Sequence, residues 1–270
     1  MTKHGIALVF AATLVAIAVP ASARAQIAVL SSTVEEKTAV PGENYKGSIV
    51  VSNQTNQPQS ARVYQTDYRF ASDGTAHYDD PGTQARSNAS WVTPQTSRVV
   101  IPPNSQVNIP YSVAVPQNDS LKGTYWSLIM VEGAPVEPGP TTNGGKPTVG
   151  VGAVMRYAIQ LATHIRTSGT RTVQFTAPAA TKQPNGGAVF DVDMLNTGER
   201  GYRPKLWIEV YDAQGVLKAK ATQTRGLLYP GTSLHQHFDL GTLASGTYKA
   251  VVFVDSGEDT VFASQYTISY

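Results

Sequence analysis

The chain has 270 residues, no cysteine, and 21 basic against 19 acidic side chains, a formal net charge of +2. This composition excludes thiol catalysis and thiolate metal sites, and so small a net charge argues against bulk attraction to nucleic acid or anionic lipid. If residues 1–25 are removed, as argued next, Lys3 and Arg24 go with them, and 21 − 2 leaves 19 basic residues against 19 acidic ones.

The first 25 residues have the pattern of a secretory signal peptide. Lys3 precedes the apolar run IALVFAATLVAIAV, and small residues with Ala-x-Ala spacing follow as far as Ala25. The run is short for a bilayer span, so we expect cleavage after Ala25, with an uncleaved anchor as the alternative. No other stretch of the sequence is apolar for long enough to cross a membrane. We therefore expect an exported bacterial protein without a transmembrane anchor, in the periplasm or at the cell surface.

The remaining sequence predicts β-strands. Segments such as SIVVSN, QVNIPYSVAV and KLWIEVY alternate apolar and polar residues, and turn sequences such as DG, NG and NTG separate them. No window outside the signal segment has a helical apolar period. Many short strands at this spacing indicate immunoglobulin-like β-sandwiches. In such a fold, Trp91, Trp126 and Trp207 are expected in or near a core.

Two parts of the sequence repeat each other. Residues 121–133 read LKGTYWSLIMVEG, and residues 244–257 read ASGTYKAVVFVDSG. The strands and turns upstream of each copy also recur in the same order, which two tandem copies of one β-module explain most simply. We therefore expect an all-β fold of two tandem immunoglobulin-like β-sandwiches, over residues 26–166 and 167–270, in which the Gly-Thr-Tyr strand is a late central strand.

The segment between the copies is the strongest candidate for a binding site. Residues 134–148 are rich in proline and glycine and predict a mobile loop. Beyond them, every second residue from Val149 to Ile165 is apolar except Thr163. One interpretation makes Arg156–Ile165 the last strand of the first sandwich and the rest a loop. The other makes residues 149–155 an exposed apolar extension that docks a partner strand. The candidate partner-binding residues are therefore Val149, Val151, Ala153, Met155, Arg156 and Tyr157.

Several stretches resemble the WxL-interacting proteins of bacterial surfaces, which carry two exported Ig-like domains. In the first domain these are PGENYKGSIVVSNQTNQPQSARVY, WVTPQTSRVVIPPNSQVNIPYSVAVP, GTYWSLIMVEG and VGAVMRYAIQLATHIR; in the second, MLNTGERGYRPKLWIEVYDAQG, LLYPGTSLHQHFDL and SGTYKAVVFVDSG. The resemblance implies a non-enzymatic surface protein that binds a protein partner and a cell-wall polymer such as peptidoglycan. That family ends in a membrane helix and a basic tail, whereas this sequence stops at Tyr270, so we expect a free periplasmic or secreted protein.

The plan of the chain also resembles periplasmic pilus chaperones. Those proteins have two Ig-like domains, with a flexible loop before a long alternating strand that lends apolar side chains to a subunit, and residues 134–165 have that plan. They also anchor the subunit's terminal carboxylate with a basic pair. Here the strand offers only Arg156 before Arg166, and the first strand carries acids where the other cation is expected. The alternative function is therefore that of a chaperone that assembles a surface subunit by donor-strand pairing, without sequence support for carboxylate capture.

The sequence predicts no catalytic or cofactor site. His235, His237 and Asp239 share one face of a predicted strand, but groups about 6.6 Å apart along a strand do not converge on one ion. We interpret them as a solvated polar face and expect no bound metal. No nucleophile elbow, zinc-binding helix motif or phosphate loop is present. We expect no enzyme activity, no cofactor, and an exported or surface β-rich protein as the partner.

Overall fold

A computed structural model of the chain describes residues 26–135 and 154–270. Within these ranges the regular secondary structure is β-strand, apart from one turn of 3-10 helix at Ala89–Trp91. No helix in them is long and apolar enough to span a bilayer. The strands form two β-sandwiches, each around its own apolar core. The predicted all-β, tandem immunoglobulin-like fold is confirmed.

The first sandwich packs two sheets face to face. Sheet I contains, in spatial order, β1 (Ile27–Val29), β3 (Asn44–Asn53), β8 (Ser105–Ala114) and β6 (Val92–Pro94). Sheet II contains β2 (Val34–Ala39), β10 (Arg156–Ile165), β9 (Gly123–Gly133), β4 (Gln59–Phe70) and β5 (Ala76–Asp79), and β7 (Arg98–Ile101) also pairs with β4.

The start of the chain switches from one sheet to the other. β1 pairs antiparallel with β3, and β2 then pairs parallel with β10. The parallel pairing begins where Val34 faces Gln160 and continues to the end of β10. Among the described strands, the first part of β10 therefore pairs only with β9.

β10 is buried on both faces along its second half. Ile159, Leu161 and Ile165 point into the core of the first sandwich. Ala162 and His164 point the opposite way, toward the second sandwich, and are also buried. A strand that is covered on both faces carries apolar residues on both. This explains why the even positions, such as Ala162, are not all polar.

The second sandwich repeats the plan of the first. Sheet III contains β11 (Val173–Lys182), β12 (Gly187–Asn196) and β15 (Ser233–Thr242), and sheet IV contains β14 (Leu217–Thr224), β13 (Lys205–Tyr211), β16 (Thr247–Asp255) and β17 (Val261–Ser269). The two Gly-Thr-Tyr strands, β9 and β16, each lie between two paired neighbours. Their predicted central position is confirmed.

The tryptophans divide between buried positions and an outer face. Trp91 and Trp126 are buried, as expected. The prediction for Trp207 is wrong, because its neighbours Leu206 and Ile208 take the core face of β13. Trp207 instead stacks on Phe253 on the outer face of sheet IV, with ring centroids 4.8 Å apart.

A third apolar cluster joins the two sandwiches, which are linked by residues 166–172. It contains Trp126 and Ala162 of the first domain and Leu227 and Tyr229 of the second. The rings of Trp126 and Tyr229 stack with centroids 4.6 Å apart, and the Tyr229 hydroxyl donates to Gln160 Oε1 at 2.8 Å. Burial raises the pKa of this hydroxyl well above its ordinary value, so it remains a donor.

Candidate functional site

The predicted partner-binding residues divide between the described part of the chain and the part outside it. Val149, Val151 and Ala153 lie outside the described residues. Met155 comes immediately before β10, and with Val154 it forms an exposed apolar pair, 46% and 42% exposed. The described strand has the bounds Arg156–Ile165, which are those of the first of the two interpretations.

The side chains of Arg156 and Tyr157 are both engaged within the chain. Arg156 Nε donates to Glu132 Oε2 at 2.6 Å, and the same carboxylate oxygen accepts the Tyr64 hydroxyl at 2.9 Å. Although partial burial acts in the opposite direction, these two hydrogen bonds lower the pKa of Glu132. Tyr157 packs against the first core, and its hydroxyl donates to Ile27 O at 2.8 Å. Both side chains therefore hold the start of β10 in place.

At the start of β10, one side of the backbone has no pairing strand among the described residues. Along a strand, the N–H and C=O groups of successive residues point alternately to the two sides. Because Gly133 N donates to Met155 O at 3.0 Å, the groups of the odd-numbered residues of β10 point toward β9. Gln160 N donates to Thr33 O at 2.8 Å, which turns the even-numbered groups to the side of β2. The N–H and C=O groups of Arg156 and Ala158 face that side before β2 begins, and no strand within the described ranges pairs with them. We call residues 154–159 the β10 edge.

The β10 edge leads into a cleft between the two domains. Val34 and Gln160, the first pair that closes the edge, also line this cleft of about 310 Å³. Two cations of the second domain, Arg203 and Arg225, line it as well.

These two cations differ in how far they are neutralised. Arg203 Nε donates to Glu36 Oε1 at 2.8 Å. Arg225 donates to neutral acceptors, Gln236 Oε1 at 2.9 Å and His235 O at 3.4 Å, and it has no salt bridge to any carboxylate in the described part of the chain. Sequence reasoning missed both residues, because only the docking of the two domains brings them near β10.

The polar cluster on β15 makes side-chain contacts with carboxylates of the neighbouring strand β12. His235 contacts Asp193 through Nδ1 at 2.7 Å and Asp191 through Nε2 at 3.2 Å, and His237 Nδ1 contacts Asp191 at 2.7 Å. The bond to Asp193, only partly opposed by burial, raises the pKa of His235. Asp239 instead accepts Gly241 N–H at 2.9 Å. Over the described residues, no group of three or more such side chains is arranged to hold a metal ion.

Comparison with known proteins gives similarities of structure only. The chain matches no protein-family model and no curated protein. Its structure is similar to that of the class 5 fimbriae chaperone CfaA, with 12% identity, a TM-score of 0.47, and coverage of 88% of this chain and 98% of that one. It is also similar to a chain in a chaperone–tip adhesin complex of CFA/I fimbriae biogenesis, with 12% identity, a TM-score of 0.46, and coverage of 89% and 98%. A third similar structure is that of the Escherichia coli chaperone DraB. It has 12% identity and a TM-score of 0.41, and the match covers 90% of this chain and 98% of that one.

These three similarities are to structures whose names include the word chaperone, and none of the three is a WxL-interacting protein. All three TM-scores lie below 0.5. The function is therefore drawn from the geometry of the chain itself.

Proposed function

We propose that this chain is a non-catalytic, exported chaperone-like protein that binds an exported β-rich protein by adding one of its strands to the β10 edge. This is the alternative function given in the sequence analysis. The main one was a surface adaptor, meaning a surface protein that binds a protein partner and a cell-wall polymer. The single observation that carries it is the unpaired edge at Arg156 and Ala158, flanked by the exposed Val154 and Met155. A cell-wall polymer as a second partner stays a prediction.

An open strand edge with apolar neighbours favours strand addition. Unpaired N–H and C=O groups are a template for another strand, and natural proteins normally blunt such edges with charge, proline or a covering segment. The charged side chain at this edge, Arg156, is drawn to Glu132 on the neighbouring strand instead. Main-chain hydrogen bonds would supply affinity, and Val154 and Met155 would supply contacts for the partner's apolar side chains.

The cleft gives the added strand a defined end. A strand paired with residues 156–159 cannot continue past Gln160, where β2 already occupies that side of β10. Its end then meets the cleft lined by Arg203 and Arg225. Arg225 has the positive charge that favours an anionic group there, such as a chain-terminal carboxylate. In this proposal Arg225 takes the place of the basic pair that the sequence does not offer in β1, β2 and β10.

Variants of the edge test the proposal. Tagged wild type and variants are purified under native conditions from the envelope of the source cells, and bound proteins are identified by mass spectrometry. Ala158→Pro removes an outward N–H without touching the bonds to β9, and Met155→Lys places a charge on the apolar flank. The control, Val100→Lys, alters a 60% exposed apolar residue on β7. Thermal unfolding checks that all variants fold.

The expected result is a β-rich exported protein bound to wild type and to Val100→Lys, with at least a tenfold loss for both edge variants. A tenfold loss corresponds to about 1.4 kcal/mol, which the loss of one or two buried strand-pairing bonds supplies. Equal recovery of the same protein by all four chains would contradict the proposal. Retention of all of them on insoluble cell wall would favour the adaptor instead.

A further inference from the structure

β17, the last strand of the second sandwich, lies at the edge of sheet IV and pairs with β16 alone among the described strands. Gly246 and Tyr270 exchange both of their backbone hydrogen bonds, at 3.1 Å each, which turns the even-numbered peptide groups of β17 toward β16. The odd-numbered groups face outward, and no strand in the described ranges pairs with them. The residues that carry these groups are all exposed: Val261, Ala263, Gln265, Thr267 and Ser269.

The other edges of the second sandwich are protected. β11 contains Pro178 and a bulge between Thr176 and Ala179. β14 carries Lys218 and Lys220. On β15, carbonyls that face away from β12 accept hydrogen bonds from side chains. Gln223 Nε2 of β14, for example, donates to the carbonyl of His237 at 2.7 Å. These are the devices by which natural proteins prevent edge-to-edge association.

The edge strands of the first sandwich are short or charged. β1, β5, β6 and β7 have only three or four residues each. β2 carries Glu35, Glu36 and Lys37. Against this background β17 differs, since its nine residues VFASQYTIS contain no charge and no proline, and its register with β16 has no bulge.

We propose that β17 is a dimerisation edge, and that it pairs antiparallel with β17 of a second copy of this chain. The strand is self-complementary, because an uncharged sequence brings no like charges together when it faces itself. An antiparallel pair of identical strands has twofold symmetry, which closes the assembly at two copies. The two four-stranded sheets then form one continuous sheet of both copies.

The pattern of outward groups fixes the register of the pair. Odd residues must face odd residues, and full overlap of the nine positions then places Gln265 opposite itself on the twofold axis. Directly opposed residues of a hydrogen-bonded pair have Cα atoms about 5.5 Å apart, within the range that a disulfide bridges. The two copies of Thr267 would lie about 14 Å apart, four residues of strand, which a disulfide cannot bridge.

Sedimentation velocity over a wide range of concentration tests the interface. Wild type is expected to dimerise, and Gln265→Lys to be monomeric at the same concentrations, because the variant faces two like charges at the axis. Thr222→Lys, at an exposed position of β14, is the matched control and is expected to dimerise as wild type does. Gln265 is exposed, so its substitution leaves both cores intact.

Crosslinking tests the register in a chain that has no natural cysteine. Under mild oxidation, Gln265→Cys is expected to form a covalent dimer and Thr267→Cys to remain uncrosslinked. A wild-type chain that stays monomeric throughout, or a dimer that survives Gln265→Lys, would overturn the proposal. A dimer that dissociates on Met155→Lys alone would also overturn it, because that dimer would use the β10 edge. Crosslinking through Thr267→Cys in preference to Gln265→Cys would overturn the proposed register.

Discussion

The carboxylate of Glu36 joins the two domains through one chain of hydrogen bonds. It contacts His164 Nε2 at 3.1 Å and accepts Arg203 Nε of the second domain at 2.8 Å. The other nitrogen of His164 contacts the Thr124 hydroxyl, and that oxygen accepts Gly201 N–H, both at 2.8 Å. The imidazole of His164 and the hydroxyl of Thr124 therefore connect Glu36 of β2 to the main chain of the second domain at Gly201.

This network makes stability depend on pH in a definite direction. The hydrogen bond from His164, opposed by burial and reinforced by Arg203, lowers the pKa of Glu36 in the folded chain. A lowered pKa adds stability above the unfolded-state value of about 4.3, and that stability is lost as the pH falls through the folded-state value.

We expect Glu36→Gln to lower the free energy of unfolding at pH 7 by about 1 kcal/mol, because the ion pair is partly exposed and screened. The difference from wild type should shrink as the pH falls below the folded-state pKa of Glu36. Urea titrations at a series of pH values measure it, with Glu35→Gln on the same strand as the control. A penalty that is independent of pH would show that the carboxylate's charge does not matter.

The two copies of the Gly-Thr-Tyr strand have taken different roles. In β9, Gly123 has a φ of +76°, and a Cβ atom on it would lie 2.0 Å from Glu199 O of the second domain. Thr124 then donates its N–H to that same carbonyl at 2.9 Å. Before β16, the space around Gly246 is open, with the nearest atom 3.9 Å from a built Cβ. The first copy is therefore shaped by the domain junction and the second is not.

A matched pair of substitutions tests this divergence. Gly123→Ala should lower the free energy of unfolding by about 2 kcal/mol or more, because it combines a left-handed backbone with a collision against main chain. Gly246→Ala should change it by less than about 1 kcal/mol in either direction. Chemical unfolding of both variants measures the difference. Equal effects would mean that the close approach at Gly123 is not maintained in solution.

The strands themselves were predictable from the sequence, but the edges were not. Alternation reports which residues face a core, so β10 and β17 both follow from it. Whether an edge is paired depends on strands far away in the chain, and β2 covers β10 only from Gln160 onward. Sequence reasoning thus chose the candidate segment through side chains such as Arg156 and Tyr157, which the chain uses for its own packing.

At the scale of the whole molecule, the docking of the domains defines the candidate site. The aromatic stack of Trp126 and Tyr229 and the network at Glu36 hold the second sandwich against the even face of β10. That arrangement brings Arg203 and Arg225 to the end of the β10 edge. No local pattern contains this information, because the residues that meet belong to separate modules of the repeat.

Residue-resolved amide hydrogen exchange of residues 26–270 tests the central claim most directly. Tyr157 and Ile159 donate toward β9 and should exchange slowly, whereas Arg156 and Ala158 face the open side of β10 and should exchange rapidly. On binding of a partner recovered as described above, the amides of Arg156 and Ala158 should become protected. Slow exchange of Ala158 in the free chain, or no added protection in the complex, would contradict a partner-binding edge at β10.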